Sequence, residues 1–155
     1  MKTLQIDDNT ARSLYPSAPQ ELKTILESSF GKEFFSMNII DRTPDLAAVF
    51  AIAGTTLENL ISEKDDKIDV ATKVIRLVCK VLNEGWMPDW SNSDEYKYVP
   101  YYQYKKGSGL VFVDAYIWYA ITVVPSHLCF KNSDLVNHAV KIAAEYYSTY
   151  FNNQN

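Results

Sequence analysis

Apolar residues recur at helical spacing at Leu22, Ile25, Leu26 and Phe30, ahead of a stop at Gly31. Ser17 with Gln20 three positions on reads as a capping box around Pro19. Thr43-Pro44-Asp45 is a second start signal, with Thr43 as the N-cap hydroxyl and proline at the first helical position. It opens a nearly all-apolar segment, 46–53, that ends at Gly54. Thr55 and Glu58 frame a short helix through Ile61, and Glu63-Lys64-Asp65-Asp66 reads as a solvated linker. Residues 67–84 give the widest stripe: Ala71, Val74, Ile75, Val78, Val81 and Leu82 share one face. Lys73, Arg76, Lys80 and Asn83 stay off it, and Gly85 ends the helix.

After Gly85 the period shortens. Residues 86–119 hold eleven aromatics in thirty-four positions. Tyr96, Tyr98, Val99, Tyr101, Tyr102 and Tyr104 suit a pleated, half-buried strand, which Pro100 confines to a sheet edge or a bulge. Lys105-Lys106-Gly107-Ser108-Gly109 reads as a hairpin turn. Residues 110–124 resume β-rich sequence; as one strand they would span about 50 Å, so the pattern predicts two strands dividing near 114–119. A last short strand is predicted over 126–130. A closing helix capped by Asn132 or Ser133 then turns Val136, Ala139, Val140, Ala143, Tyr146, Tyr147 and Tyr150 inward, and 152–155 fray. The expected fold is α+β: N-terminal helices, a three- or four-stranded antiparallel sheet rich in aromatics, and a C-terminal helix packed on the sheet. A single domain over 1–155 is expected, with a helical part at 1–62 and a helix, sheet and helix over 67–155.

Composition narrows the functional classes. The chain has 155 residues, 47% of them hydrophobic, and a net charge of -4, which excludes a globally basic nucleic-acid binder. The charge is uneven: residues 1–66 hold 6 Lys/Arg against 11 Asp/Glu, and residues 67–155 hold 9 against 8. Two cysteines are too few for a disulfide framework and point to reduced thiols in a cytoplasmic protein. Met1-Lys2-Thr3-Leu4 runs into Asp7-Asp8 with no signal-peptide core. The longest apolar stretch, broken by Asp114, is shorter than the roughly 20 residues of a membrane helix, so no membrane partner is expected.

Catalytic and metal signatures are weak. His127, Cys129, His138 and Cys79 match no zinc spacing, and no motif implies a metal or cofactor. His127 and Cys129, two apart on a strand, lie roughly 6–7 Å from each other, beyond the reach of a nucleophile–base bond. Asp114, inside an apolar run, is either a buried carboxylate available to a small hydrolase or a bulge residue facing solvent. The 105–109 turn is able to nest an anion but lacks the spacing of a nucleotide P-loop.

The aromatic segment carries the main expectation. Tyr101 and Tyr102 are adjacent and point to opposite faces, so one aromatic row lies away from the core. The candidate surface is Trp86, Trp90, Tyr98, Tyr101, Tyr102 and Tyr104 with Lys97, Lys105 and Lys106 beside them. Alternate tyrosines filling a sheet–helix core while the others cover an edge strand is the plain packing reading; among functional readings a protein partner or self-association comes first. Single-stranded nucleic acid, stacked on the tyrosines beside the lysines, is the alternative.

Several segments together resemble a family of small proteins from phages and mobile elements of gut Bacteroidetes. They are Leu14-Tyr15, Phe30-Gly31-Lys32-Glu33-Phe34-Phe35, Asp41-Arg42, Asn83-Glu84-Gly85-Trp86-Met87-Pro88-Asp89-Trp90, Lys97-Tyr98 and Ser126-His127-Leu128-Cys129-Phe130-Lys131. The family has no established activity, so the resemblance implies origin and kinship of fold, not mechanism. His127 stands where relatives usually carry Arg, and the stretch after Arg42 is more apolar than in relatives.

Overall fold

Helix starts are decided residue by residue by which side chain reaches an unpaired backbone N–H. The computed structural model describes residues 6–118 and 128–152, and the chain separates into two units, Met1–Arg42 and Thr43–Asn155. In the first, Asp7 caps α1 (Asp8–Leu14) by accepting the Thr10 N–H at 3.0 Å. The expected capping box at Ser17 does not form. Tyr15–Ser17 make a 3-10 turn, the Ser17 hydroxyl returns to the Leu14 carbonyl, and α2 (Gln20–Phe30) opens at Pro19 with no side-chain cap. α3 (Lys32–Ser36) and α4 (Ile39–Arg42) follow. The unit is stapled by aromatic rings: Tyr15 stacks on Phe35 at 4.0 Å, and the Arg12 guanidinium covers Phe34 at 3.7 Å.

The second unit begins with two corrections to the expected caps. Asp45, not Thr43, caps α5 (Leu46–Ala53), accepting the Ala48 N–H at 2.9 Å. Thr43 is buried; its carbonyl accepts the His138 Nε2–H at 2.7 Å, which fixes that tautomer. Thr56, not Thr55, caps α6 (Leu57–Leu60). Asp66, expected in a linker, caps α7 (Lys67–Leu82) in a reciprocal box with Asp69. All six predicted stripe residues of α7 are buried. Asn83 is also buried, contrary to its expected place off the stripe: its amide donates to the Cys129 carbonyl at 2.8 Å and accepts the Lys131 N–H at 3.2 Å.

β1 (Lys97–Lys105) and β2 (Gly109–Trp118) pair antiparallel around the predicted turn. Among the described residues the sheet has two strands rather than three or four, and Phe130 adds only a bridge to Tyr98. The Tyr98 N–H and carbonyl point outward to Phe130, so by alternation the nitrogen of Pro100 also points outward and its missing N–H costs no ladder bond. β2 does not divide near 114–118. Instead Val113 is left unpaired by a bulge between the Tyr101–Asp114 and Tyr102–Phe112 pairs. The rest of that predicted run, with Tyr119, Pro125 and His127, lies outside the described residues.

One predicted closing helix is two, α8 (Ser133–Ile142, capped by Asn132) and α9 (Ala144–Asn152), with Ala143 leaving helical geometry between them. Val136, Ala139, Val140, Ala143 and Tyr147 are buried, whereas Tyr146 is half-buried and Tyr150 exposed. α8 packs on both strands, and α9 packs on β2 and α7. Asn152, expected to fray, clamps the outer edge of β2: its carboxamide accepts the Leu110 N–H at 2.6 Å and donates to the Leu110 carbonyl at 2.8 Å. Gly109 makes that approach possible, since a Cβ there would meet Asn152 Oδ1 at 2.7 Å.

Candidate functional site

Each of the nine candidate residues has a definite place, and they do not form one surface. Lys97 is the clearest departure. Its side chain is fully buried, and its ammonium meets the Asp89 carbonyl at 2.6 Å, the Asn92 carbonyl at 2.9 Å and Glu95 Oε1 at 3.1 Å. All three N–H donors are thereby used. The Trp90 ring lies 5.7 Å from the ammonium and meets Trp118 edge-on at 5.9 Å. Glu95 also accepts the Asp89 N–H at 2.8 Å. Burial pushes the Glu95 carboxyl up, but the Asp89 N–H, Lys97 and Trp86 together outweigh it and hold the group below the usual glutamate range. Lys97 is therefore an internal fastening of the 86–96 loop and is not open to a ligand, with the half-buried Trp90 ring against it.

Three segments, 83–90, 97–98 and 129–131, meet at this loop. Asn83 holds the backbone on both sides of Phe130, Phe130 bridges Tyr98, and Lys97 closes on Asp89 and Trp90. Glu84, a non-glycine residue at φ 49, and Gly85 at φ 84 reverse the chain after α7, and the Trp86 N–H returns to the Asn83 carbonyl at 2.9 Å.

On the hairpin the two adjacent tyrosines separate as expected. Tyr102 stacks on Phe151 at 4.2 Å and meets Phe112, and burial pushes its hydroxyl up to about 12. Tyr101 is 44% exposed and packs against Tyr116, 61% exposed, at 5.9 Å. Tyr104 and the unpaired Val113 are also exposed, as are Lys105 and Lys106 at the turn. Tyr98 is half-buried in its bridge to Phe130. Asp114 faces solvent at the bulge, where its carboxylate accepts the Ala115 N–H at 2.7 Å. Val113 and Tyr116 lie outside the surface expected from the sequence; alternation on β2 is the signal for Tyr116, while Val113 is exposed through the bulge.

Trp86 stands apart from the hairpin, on the wall of a cleft of about 580 Å³ beside α7. Leu60, Leu77, Trp86, Met87 and Pro88 supply its apolar walls, and Lys73, Arg76 and Lys80 its cations. Cys79 and Cys129 lie at its buried floor as free thiols; burial pushes Cys129 up to about 11 and Cys79 higher still, so both are uncharged near neutral pH. His138 is committed to Thr43 in the middle of α8, and among the described residues no three His, Cys, Asp or Glu converge on a metal geometry. No helix among the described residues is long and apolar enough to cross a membrane.

Comparison with protein-family models, curated proteins and solved structures finds no match for this chain.

Proposed function

We propose that the chain is a non-enzymatic, cytoplasmic binding module of a phage or mobile element that engages a protein through the β1–β2 hairpin. The observation that carries this reading is the exposure of Tyr101 and Tyr116 packed together on one face of two paired strands, with Val113 exposed at the bulge beside them. Large apolar side chains gathered on one surface mark interaction sites, and tyrosines bury much area at low entropic cost. The two buried free thiols support a reducing compartment. The test is the double substitution Tyr101→Ala with Tyr116→Ala, read by sedimentation of the purified chain and by capture of host proteins. Association that is lost in the variant, at an unchanged melting temperature, is the expected result. A wild-type chain that stays monomeric and captures nothing the variant fails to capture overturns the reading.

Single-stranded nucleic acid is the second reading, favoured by Lys105 and Lys106 standing exposed beside the 65%-exposed Tyr104. It has less support than the sequence offered, because Lys97 is consumed internally and the Asp114 carboxylate lies opposite Tyr101. Anisotropy of labelled oligonucleotides at two salt concentrations decides it, since phosphate-driven binding weakens steeply with salt.

A further inference from the structure

The geometry points to a second site, independent of the hairpin: the cleft beside α7 binds a small organic anion with an apolar body, of the medium-chain carboxylic acid type. Its construction follows from helical spacing. Lys73, Arg76, Leu77 and Lys80 fall at i, i+3, i+4 and i+7, so they form one face of α7, opposite the side that carries the core stripe. Lys73 is ion-paired with Asp65, which the lysine holds below the usual aspartate range. Arg76 and Lys80 are exposed and have no hydrogen bond or ion pair among the described residues. They lie one turn apart, within reach of a single anionic head, and the Arg76 fork matches the two oxygens of a carboxylate.

The apolar wall is built in advance. Glu84 and Gly85, both at positive φ, turn Trp86, Met87 and Pro88 back toward α7. The Trp86 N–H, held by the Asn83 carbonyl at 2.9 Å, anchors that wall where it starts. Met87, 68% exposed, is an adaptable rim, and the protonated thiols below leave the floor uncharged. The volume falls within the range of small-molecule sites, and the combination of apolar walls with a few convergent polar groups is what such sites show. A protein partner would need roughly 800 Å² of surface, which a cleft of this size does not offer alone. In a chain of net charge -4, two unpaired cations beside an apolar wall select for an anion rather than for a neutral or cationic guest.

The experiment is calorimetric titration of the full chain with decanoate, and with decanol as the uncharged guest of equal length. Saturable one-to-one binding of decanoate is expected, with decanol weaker by about tenfold or more. The double variant Arg76→Gln with Lys80→Gln is expected to lose about tenfold for decanoate while decanol binding stays as it was. The hairpin variant Tyr101→Ala with Tyr116→Ala is expected to bind decanoate like the wild type, which separates this site from the proposed interface. The inference is overturned by the absence of saturable decanoate binding, by equal affinity for decanoate and decanol, or by undiminished decanoate affinity in the Arg76/Lys80 variant. The wild-type comparison of the two guests stands whether or not any variant folds.

Discussion

Two places in this chain set a tryptophan beside basic residues, and they have opposite characters. At Lys97 the ammonium is sealed under Trp90 with every donor used, two of them on loop carbonyls. At α7, Arg76 and Lys80 stand exposed and unpaired beside Trp86. A cation next to an aromatic ring in sequence is therefore no measure of what the cation does. What separates the two is whether backbone carbonyls converge on it. The loop around Trp90 doubles back within eight residues of Lys97 and brings its own acceptors, whereas the α7 cations project from a helix whose carbonyls are already bonded.

The sharpest test of that contrast is Lys97→Met. It leaves Glu95 without its counter-charge and removes the donor to two carbonyls, so unfolding free energy is expected to fall by about 3 kcal/mol. For a domain of this size that corresponds to roughly 6–12 °C in melting temperature, read by calorimetry. A melting temperature unchanged by the substitution would mean that the lysine is free after all, and the comparison would collapse.

Much of this architecture was legible in the sequence. The α7 stripe, the 105–109 turn and the edge position of Pro100 follow from period and from proline chemistry. Caps were less secure, because Thr43, Asp45, Thr55, Thr56 and Asp66 are all competent and only the backbone path selects among them. The site was least legible. Lys97 and Asn83 are polar, and a periodicity argument assigns polar residues to solvent; both are buried because they satisfy backbone groups, Asn83 those of a segment distant in sequence and Lys97 the carbonyls of the neighbouring loop. Periodicity hides the cleft for the converse reason. Leu77, an apolar residue on the cationic face of α7, was the signal for it.

A smaller effect sharpens the sealed side of the comparison. The folded pKa of Glu95 lies below its ordinary value, so its ionised form stabilises the fold above the usual glutamate range. That contribution declines as the pH falls from there through the lower folded value, and is absent once both states are protonated. Glu95→Gln is expected to lower stability near neutral pH and to flatten the acid limb of a stability-against-pH curve measured by urea unfolding. An acid limb identical to that of the wild type would show that Glu95 is not held as described.

The smallest expected effect is the most informative about the open side. Arg76→Gln and Lys80→Gln remove charges that have no partner among the described residues, from a helix whose core stripe they do not touch. Surface substitutions of this kind stay within about 0.5 kcal/mol of neutral. Two unpaired cations one turn apart repel each other, so the double variant is expected to be unchanged or slightly more stable by thermal unfolding at low salt. Adding salt screens that repulsion and is expected to narrow the difference. A clear loss of stability would assign these residues to the fold, as Lys97 is assigned, and would leave the chain with no cation held in reserve at the Trp86 wall.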